Sequence, residues 1–178
     1  MRVEQALVQL RNLHPAYVRK VKQLLAIIAA SAPFTSNVSK LSRRIGINRQ
    51  TFITYLSFLE EARILRLLHR DATGVSLLAK PEKILLDNTN LMAVLGSSAP
   101  EQGSVPETFL ASQLSASHRL EYPEGGAFLV DGRYTIEVGG RSKNSKHIVG
   151  IEDAYVAKDG FEVGQGRTIP LYLFGFVR

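Results

Sequence analysis

Three carboxylates in the second half of the chain could take part in metal-ion chemistry. Glu107 lies near the start of a predicted helix, whereas Asp131 and Glu137 lie in a segment that predicts a β-hairpin. Mg²⁺ and similar hard cations bind several oxygen ligands at once, and a bound metal ion can activate water for hydrolysis. A metal-dependent hydrolase would therefore need the fold to bring these carboxylates together.

The predicted hairpin separates two of these carboxylates. Two strand-like runs within residues 128–138 flank Asp131-Gly132, a dipeptide that favours a two-residue turn. With that turn, Ala127 lies opposite position 136 and therefore beside Glu137. Asp131 is six residues from Glu137, up to ~20 Å along an extended strand, so the two cannot bind one metal ion. Asp131 is therefore interpreted as a turn residue.

Glu107 and Glu137 each have a second interpretation that needs no metal. Ser104 and Glu107 have the spacing of a capping box, in which both side chains bind backbone N–H groups at a helix start. Glu137 shares a strand face with Arg133, so an ion pair between these two is the alternative there. Both interpretations of each glutamate stay open at this point.

The order of these elements resembles the PD-(D/E)xK nuclease superfamily. There, a helix Glu, a strand Asp and a strand Glu hold Mg²⁺, and a Lys two residues after the strand Glu orients water. Glu107 and Glu137 match two of these positions. Ala127 stands where Asp is usual, and Gly139 stands where Lys is usual. Arg141 shares the face of Glu137, but arginine stays protonated and cannot act as a base. The resemblance implies a restriction-endonuclease-like domain with an eroded site, in which Glu107, Glu137 and Arg141 are vestigial.

A wider resemblance rests on short stretches between residues 20 and 177. In chain order they are Lys40-Leu41, Tyr55-Leu56, Lys80-Pro81-Glu82-Lys83-Ile84, Leu86-Asp87-Asn88-Thr89-Asn90-Leu91, Glu107-Thr108-Phe109, Glu137-Val138-Gly139-Gly140, Ile169-Pro170-Leu171 and Leu173-Phe174-Gly175-Phe176. Their order and spacing are similar to the C-terminal region of a family of prokaryotic AAA-type ATPases. That region, a winged helix followed by a nuclease-like module, comes after an ATPase core. This sequence has no Gly-x-x-x-x-Gly-Lys-Ser/Thr loop, so the resemblance implies an AAA-type ATPase core in cis or in trans as a partner.

The basic residues are concentrated in the first half of the chain. Residues 1–100 contain 14 Lys and Arg against 6 Asp and Glu, whereas residues 101–178 contain 8 against 10. A basic module followed by a nearly neutral one favours a nucleic-acid-binding surface on the first module. A basic surface that is merely solvated is the alternative.

Apolar residues at helical spacing predict three helices in this basic half. They span Pro15–Ala30, Val38–Ile45 and Arg49–Ala62. The Gly46-Ile47-Asn48 connection fits a helix-turn-helix, and strand-like runs at 64–70 and 75–78 predict a hairpin after the third helix. Three helices followed by a hairpin predict a winged helix, which either enters a DNA major groove or serves as a connector.

The third helix of such a domain would read bases with its N-terminal residues, while nearby arginines would contact phosphates. The predicted base-reading residues are Arg49, Gln50, Thr51 and Thr54. The predicted phosphate contacts are Arg43, Arg44, Arg66 and Arg70.

The expected fold class is α+β or α/β. It comprises a winged-helix domain over 1–92, a Gly-, Ser- and Pro-rich linker over 93–104, and a nuclease-like α/β domain over 105–178. The absence of cysteine fits a reducing cytoplasm, and the longest apolar run, Leu24–Ala30, is too short to span a bilayer. We therefore expect a cytoplasmic location without membrane contact.

The preferred function is a non-catalytic accessory module of an AAA-type ATPase that binds duplex DNA and needs no metal or other cofactor. The first alternative is an active Mg²⁺-dependent nuclease that uses Glu107 and Glu137, with Arg141 in support. The second alternative is a protein-interaction module that packs on an ATPase core.

Overall fold

The computed structural model describes residues 15–31, 34–35, 37–70, 80–95, 103–140 and 148–177. These residues form helices, a small antiparallel sheet of three strands and a mixed sheet of five strands. The predicted mixture of α and β structure is thereby confirmed. None of the described helices combines the length and the apolar character that crossing a membrane requires.

Three helices open the described part of the chain. They are α1 (Pro15–Ser31), α2 (Val38–Ile45) and α3 (Arg49–Glu61). Each bound agrees with its prediction to within one residue, because the start and stop signals are local. The Asn37 side chain accepts a hydrogen bond from the Lys40 N–H (3.0 Å), and Gly46 ends α2 in the left-handed conformation. The Asn48 side chain accepts from the Thr51 N–H (2.8 Å) and begins α3 in the same way.

The first hydrophobic core lies between these helices. Leu24 and Ile28 of α1 are fully buried there, together with Phe52, Leu56 and Leu59 of α3. The apolar stripe read from the sequence of α3 is therefore its packing face, as helical spacing predicts.

The small sheet closes this first core. It contains β1 (Phe34–Thr35), β2 (Leu65–Leu68) and β3 (Lys83–Leu86), in the order β1-β3-β2. Within the described residues, β2 pairs with β3, and Leu68 lies opposite Lys83. The run at 75–78, which the sequence predicted as the partner of β2, lies outside the described residues. All four residues of β3 are buried, as expected for a central strand that is covered on both faces.

Two further helices follow this sheet, α4 (Thr89–Leu95) and α5 (Ser104–Leu114). Helix α5 packs on one face of the five-stranded sheet, and its Leu110, Ala111 and Leu114 help to form a second core. The predicted capping box at the start of α5 is wrong. Ser104 is a buried helical residue, and Gly103, which occupies the N-cap position, has no side chain that could cap the helix.

The five-stranded sheet has the order β4-β5-β6-β7-β8. Its strands are β4 (Leu120–Glu121), β5 (Phe128–Val130), β6 (Tyr134–Gly139), β7 (Ala154–Lys158) and β8 (Thr168–Pro170). The pairs β4–β5 and β5–β6 are antiparallel, whereas β6–β7 and β7–β8 are parallel. A 3₁₀ helix over Leu171–Phe176 follows β8 and packs against α5.

The turn between β5 and β6 has the predicted residues but a different register. Asp131 (φ 53°) and Gly132 (φ 68°) occupy its centre, and the Arg133 N–H donates to the Val130 C=O (3.0 Å). Val130 pairs with Tyr134, so Arg133 is an extra residue that the predicted two-residue connection left out. Phe128 pairs with Ile136, and the Ala127 N–H also donates to the Ile136 C=O (2.9 Å), so Ala127 remains beside position 136.

The two cores meet at β3. Ile84 and Leu86 contribute to the first core, whereas Leu85 points to the other face and joins the second core. Leu68 of β2 joins the second core too, and the Tyr122 N–H donates to the His69 C=O (2.7 Å) across the same junction.

Candidate nucleic-acid interface

The turn between α2 and α3 is held by a lysine that the sequence analysis did not single out. Lys20 of α1 donates from Nζ to the Gly46 C=O (2.6 Å), which lies at the C-terminal end of α2. Carbonyl groups at a helix C-terminus lack partners within the helix and attract cations. The sequence could have indicated this role. Lys20 lies one helical turn before the buried Leu24, on a helix face that is otherwise occupied by apolar residues.

A basic surface surrounds this turn. We define the α2–α3 surface as Arg43, Arg44, Arg49 and Gln50, all of which are exposed. Arg43 also donates from Nε to the Ser39 C=O (3.0 Å), which leaves its terminal nitrogens available for a ligand. The structure thus brings four of the predicted DNA-contact residues together at the N-terminal end of α3.

The two threonines of α3 are less suited to reading bases. Thr51 is half-buried, and Thr54 donates from Oγ1 to the Gln50 C=O (3.1 Å) within the helix. The Thr54 hydroxyl is therefore left as an acceptor only. Gln50 is the exposed neutral side chain at this end of α3, and the other exposed groups of the α2–α3 surface are cationic.

The geometry of Arg66 argues against its predicted phosphate contact. Its guanidinium forms an ion pair with Asp87 (2.5 Å), and its side chain is 15% exposed. Burial is the main influence on Arg66 and lowers the pKa of its guanidinium. Arg70 differs because its side chain is 59% exposed, although it lies 3.8 Å from Glu82 and above the Tyr122 ring.

Arg66 lines a polar cleft of about 460 Å³ at the C-terminal end of α3. Glu60 lies in the same cleft, where Oε1 accepts a hydrogen bond from the Leu67 N–H (3.0 Å). Burial is the largest influence on this glutamate and raises the pKa of its carboxyl group. Acidic and basic groups thus line this cleft together, at the end of α3 that is opposite the α2–α3 surface.

Glu107 is paired with a lysine from the small sheet. Its carboxylate accepts a hydrogen bond from Lys83 Nζ, and both side chains are largely buried. The same ammonium group lies 5.2 Å from the centre of the Phe128 ring. The sequence could have indicated this pair, because Lys83 stands at the edge of an apolar strand. A cation that becomes buried there requires a partner of opposite charge.

Glu137 lies on the other face of the five-stranded sheet. Ile136 and Val138 point towards α5 and belong to the second core, so Glu137 between them points away from α5. Its neighbour in β7 is Val156, which belongs to a separate small cluster of apolar residues. The structure therefore does not place Glu107 and Glu137 on one side of the sheet.

The other predicted participants have separate roles. Arg133 forms its ion pair with Asp153 (2.7 Å). Asp131 accepts from the Arg119 N–H (2.8 Å) and lies 2.7 Å from His118 Nδ1; the hydrogen bond to His118 lowers the pKa of its carboxyl group. Arg141 lies outside the described residues.

These positions do not form the donor set that Mg²⁺ requires. Glu107 is bound to Lys83, Glu137 projects from the opposite face, and Ala127, beside position 136 on the neighbouring strand, has no ligand atom in its side chain. Within the described ranges, no three His, Asp or Glu side chains are grouped so that they could hold a metal ion.

Comparison of the chain with protein-family models, with curated proteins and with solved structures gives no match.

Proposed function

We propose that the chain is a cytoplasmic, non-catalytic module that binds duplex DNA through the α2–α3 surface. The observation that carries the proposal is the exposure of three arginines and Gln50 around the N-terminal end of α3. Phosphate groups bind where cationic side chains and the free N–H groups of a helix start coincide.

The arrangement of the first half supports a winged-helix interpretation. Strand β1 lies between α1 and α2, β2 and β3 follow α3, and the three strands form a sheet in the order β1-β3-β2. A glycine-containing turn connects α2 to α3. In a winged helix, the helix after such a turn enters the major groove with its N-terminal residues first. That orientation would direct Arg49 and Gln50 to the bases, and Arg43 and Arg44 to the backbone.

The second half supports an eroded nuclease-like interpretation. A helix with Glu107 precedes an antiparallel hairpin, and a parallel strand follows the hairpin. Glu107 on the helix is already paired with Lys83. The side chains of Ala127 and Gly139 supply neither a metal ligand nor a charge. We propose that this half is an inactive scaffold and that the module serves an AAA-type ATPase core in cis or in trans.

Most of the binding free energy would come from phosphate contacts. Each phosphate that is neutralised changes the dependence of log K on log salt by about −0.9, so Arg43 and Arg44 at the backbone predict a slope of about −2. Gln50 and Arg49 are the available base readers, and sequence preference should therefore be small.

Fluorescence anisotropy with a labelled mixed-sequence duplex at low salt tests the proposal. The change is the triple substitution of Arg43, Arg44 and Arg49 by Ala, which removes two proposed phosphate contacts and one proposed base contact. Losing such contacts lowers affinity by about tenfold or more at low salt. The matched control is Arg119, Lys158 and Arg167 to Ala, which removes the same charge from the second half.

The control should retain most of the affinity, and thermal unfolding should show that both variants are folded. If the native chain fails to bind at low salt, or if both triple variants lose affinity equally, the α2–α3 surface is not a DNA site. The protein-interaction alternative would then be favoured.

A further inference from the structure

A small apolar groove lies beside the C-terminal 3₁₀ helix, among residues that the proposed DNA surface does not use. Its volume is about 270 Å³, and its walls include Val105, Pro106 and Phe109 from α5 and Leu171 and Tyr172 from the 3₁₀ helix. Pockets for small molecules usually measure about 300–1,000 Å³. This groove therefore fits a single side chain of a larger partner better than a whole metabolite.

The 3₁₀ helix beside the groove exposes further apolar surface. Leu171 and Phe174 are buried, but Tyr172, Leu173 and Phe176 are not, and Phe176 is 78% exposed. Single exposed apolar residues are common, whereas several on one short element next to a groove are typical of a protein contact.

One acidic residue lines the groove, and a second lies near its edge. Asp159 lines the groove, and the Tyr172 hydroxyl donates to the Glu162 C=O (3.0 Å), which brings Glu162 close to the same edge. Among the described residues, neither carboxylate forms an ion pair, and no Lys or Arg lines the groove. The neighbouring Lys158 ammonium lies over the Phe161 ring instead.

We propose that this groove docks a segment of a partner polypeptide that presents a large apolar side chain next to a Lys or Arg. The apolar side chain would fill the space between Phe109 and Tyr172, since burial of apolar surface drives such contacts. The adjacent cation would meet Asp159 and Glu162, because charge complementarity selects the partner at an interface. The same carboxylates would repel DNA phosphates, so this site is independent of the proposed DNA binding.

NMR titration of the ¹⁵N-labelled full chain with two synthetic peptides tests the proposal. The first peptide is acetyl-Gly-Lys-Phe-Lys-Gly-amide, and the second replaces both lysines by glutamates. The basic peptide should shift the backbone amide signals of Phe109, Asp159 and Tyr172 in a saturable way. The acidic peptide should leave these signals in place, because Asp159 and Glu162 repel it.

Two test variants and one control variant show where the peptide binds. Asp159→Asn combined with Glu162→Gln should weaken binding of the basic peptide by about fivefold, the effect of losing two exposed ion pairs. Glu124→Gln combined with Glu152→Gln removes the same charge at other exposed positions and should leave the affinity unchanged. Val105→Trp should abolish binding, because Val105 is partly exposed at the groove and a larger side chain there would fill it.

The proposal is overturned if both peptides bind equally or if neither shifts the groove signals. It is also overturned if the Asp159 and Glu162 changes have no effect. Sedimentation of the unliganded chain adds one further outcome. A dimer that Val105→Trp dissociates would assign the groove to a second copy of this chain and contradict the proposed partner.

Discussion

At the scale of single residues, the ion pair between Lys83 and Glu107 joins α5 to the small sheet. The carboxylate that the proposed nuclease-like interpretation assigns to a metal ion is bound instead to the ammonium group of a lysine in β3. The side chains are 10% and 18% exposed, so each charge depends on the other for compensation. The glutamate therefore has a structural role in this fold.

Glu107→Gln should destabilise the protein, because it leaves the Lys83 ammonium largely buried without its countercharge. The expected loss is about 2–4 kcal/mol in the free energy of unfolding, measured by urea denaturation. The double variant Lys83→Met with Glu107→Leu should recover much of that loss, since it removes both charges together. A single variant as stable as the native chain would contradict the structural role.

Several residue roles that depend on neighbours in the chain were predicted correctly, although the capping box at Ser104 was not. Asn37 and Asn48 cap their helices, and Asp131 lies in the turn as expected. The roles of Glu107 and Arg133 were not accessible, because their partners Lys83 and Asp153 are 24 and 20 residues away. Nothing in local spacing indicates which distant charge a side chain meets.

At the scale of elements, the C-terminal end of α3 combines a strained connection with a buried acid. Arg63 adopts a left-handed conformation (φ 56°), and the Ile64 N–H donates to the Leu59 C=O (2.9 Å) to close the helix. Glu60 in the last turn is partly buried beside Arg66 and Asp87. This end is therefore sensitive to the charge of Glu60.

Glu60→Gln should stabilise the protein at neutral pH relative to the native chain. Burial raises the pKa of Glu60 in the folded state, so the folded protein binds the proton more tightly than the unfolded chain does. The native chain thus loses stability as pH rises from the ordinary carboxyl range through the raised pKa, whereas the glutamine variant does not.

Thermal unfolding of both proteins between about pH 4 and pH 8 measures this difference, because the ordinary pKa of glutamate is about 4.3. The gap in melting temperature should widen as pH rises. Glu152→Gln, at an exposed position, serves as the control and should show no such trend. A difference in melting temperature that narrows as pH rises would contradict a raised pKa of Glu60 in the folded state.

Helices and strands differ in how far the sequence predicted them. The bounds of α1, α2 and α3 follow from local capping and spacing, and they agree with prediction to within one residue. Strand pairing depends on distant partners, so the role of β3 as the neighbour of β2 was missed. One unpaired residue, Arg133, was enough to shift the register of the hairpin.

At the scale of the whole molecule, β3 makes the two cores depend on each other. Leu85 is fully buried in the second core, while Ile84 and Leu86 on either side of it are fully buried in the first. A strand that contributes to both cores cannot separate from one without exposing apolar surface of the other.

Leu85→Ala should lower the free energy of unfolding by about 2–5 kcal/mol, the usual cost of removing a fully buried leucine side chain. Unfolding should remain a single transition, with helix content by circular dichroism and tyrosine fluorescence changing together. Leu173→Ala, at an exposed position, should cost far less. Two separate transitions in the native chain would show that the halves are independent.

The shared strand also has a mechanical consequence. Because β3 joins both cores, the described structure provides no hinge between the α2–α3 surface and the C-terminal 3₁₀ helix at this junction. A partner that pulled or rotated the second half would move α3 with it as one rigid unit. If the α2–α3 surface binds DNA as proposed, torque applied to the second half would then reach the duplex without being absorbed by bending at this junction.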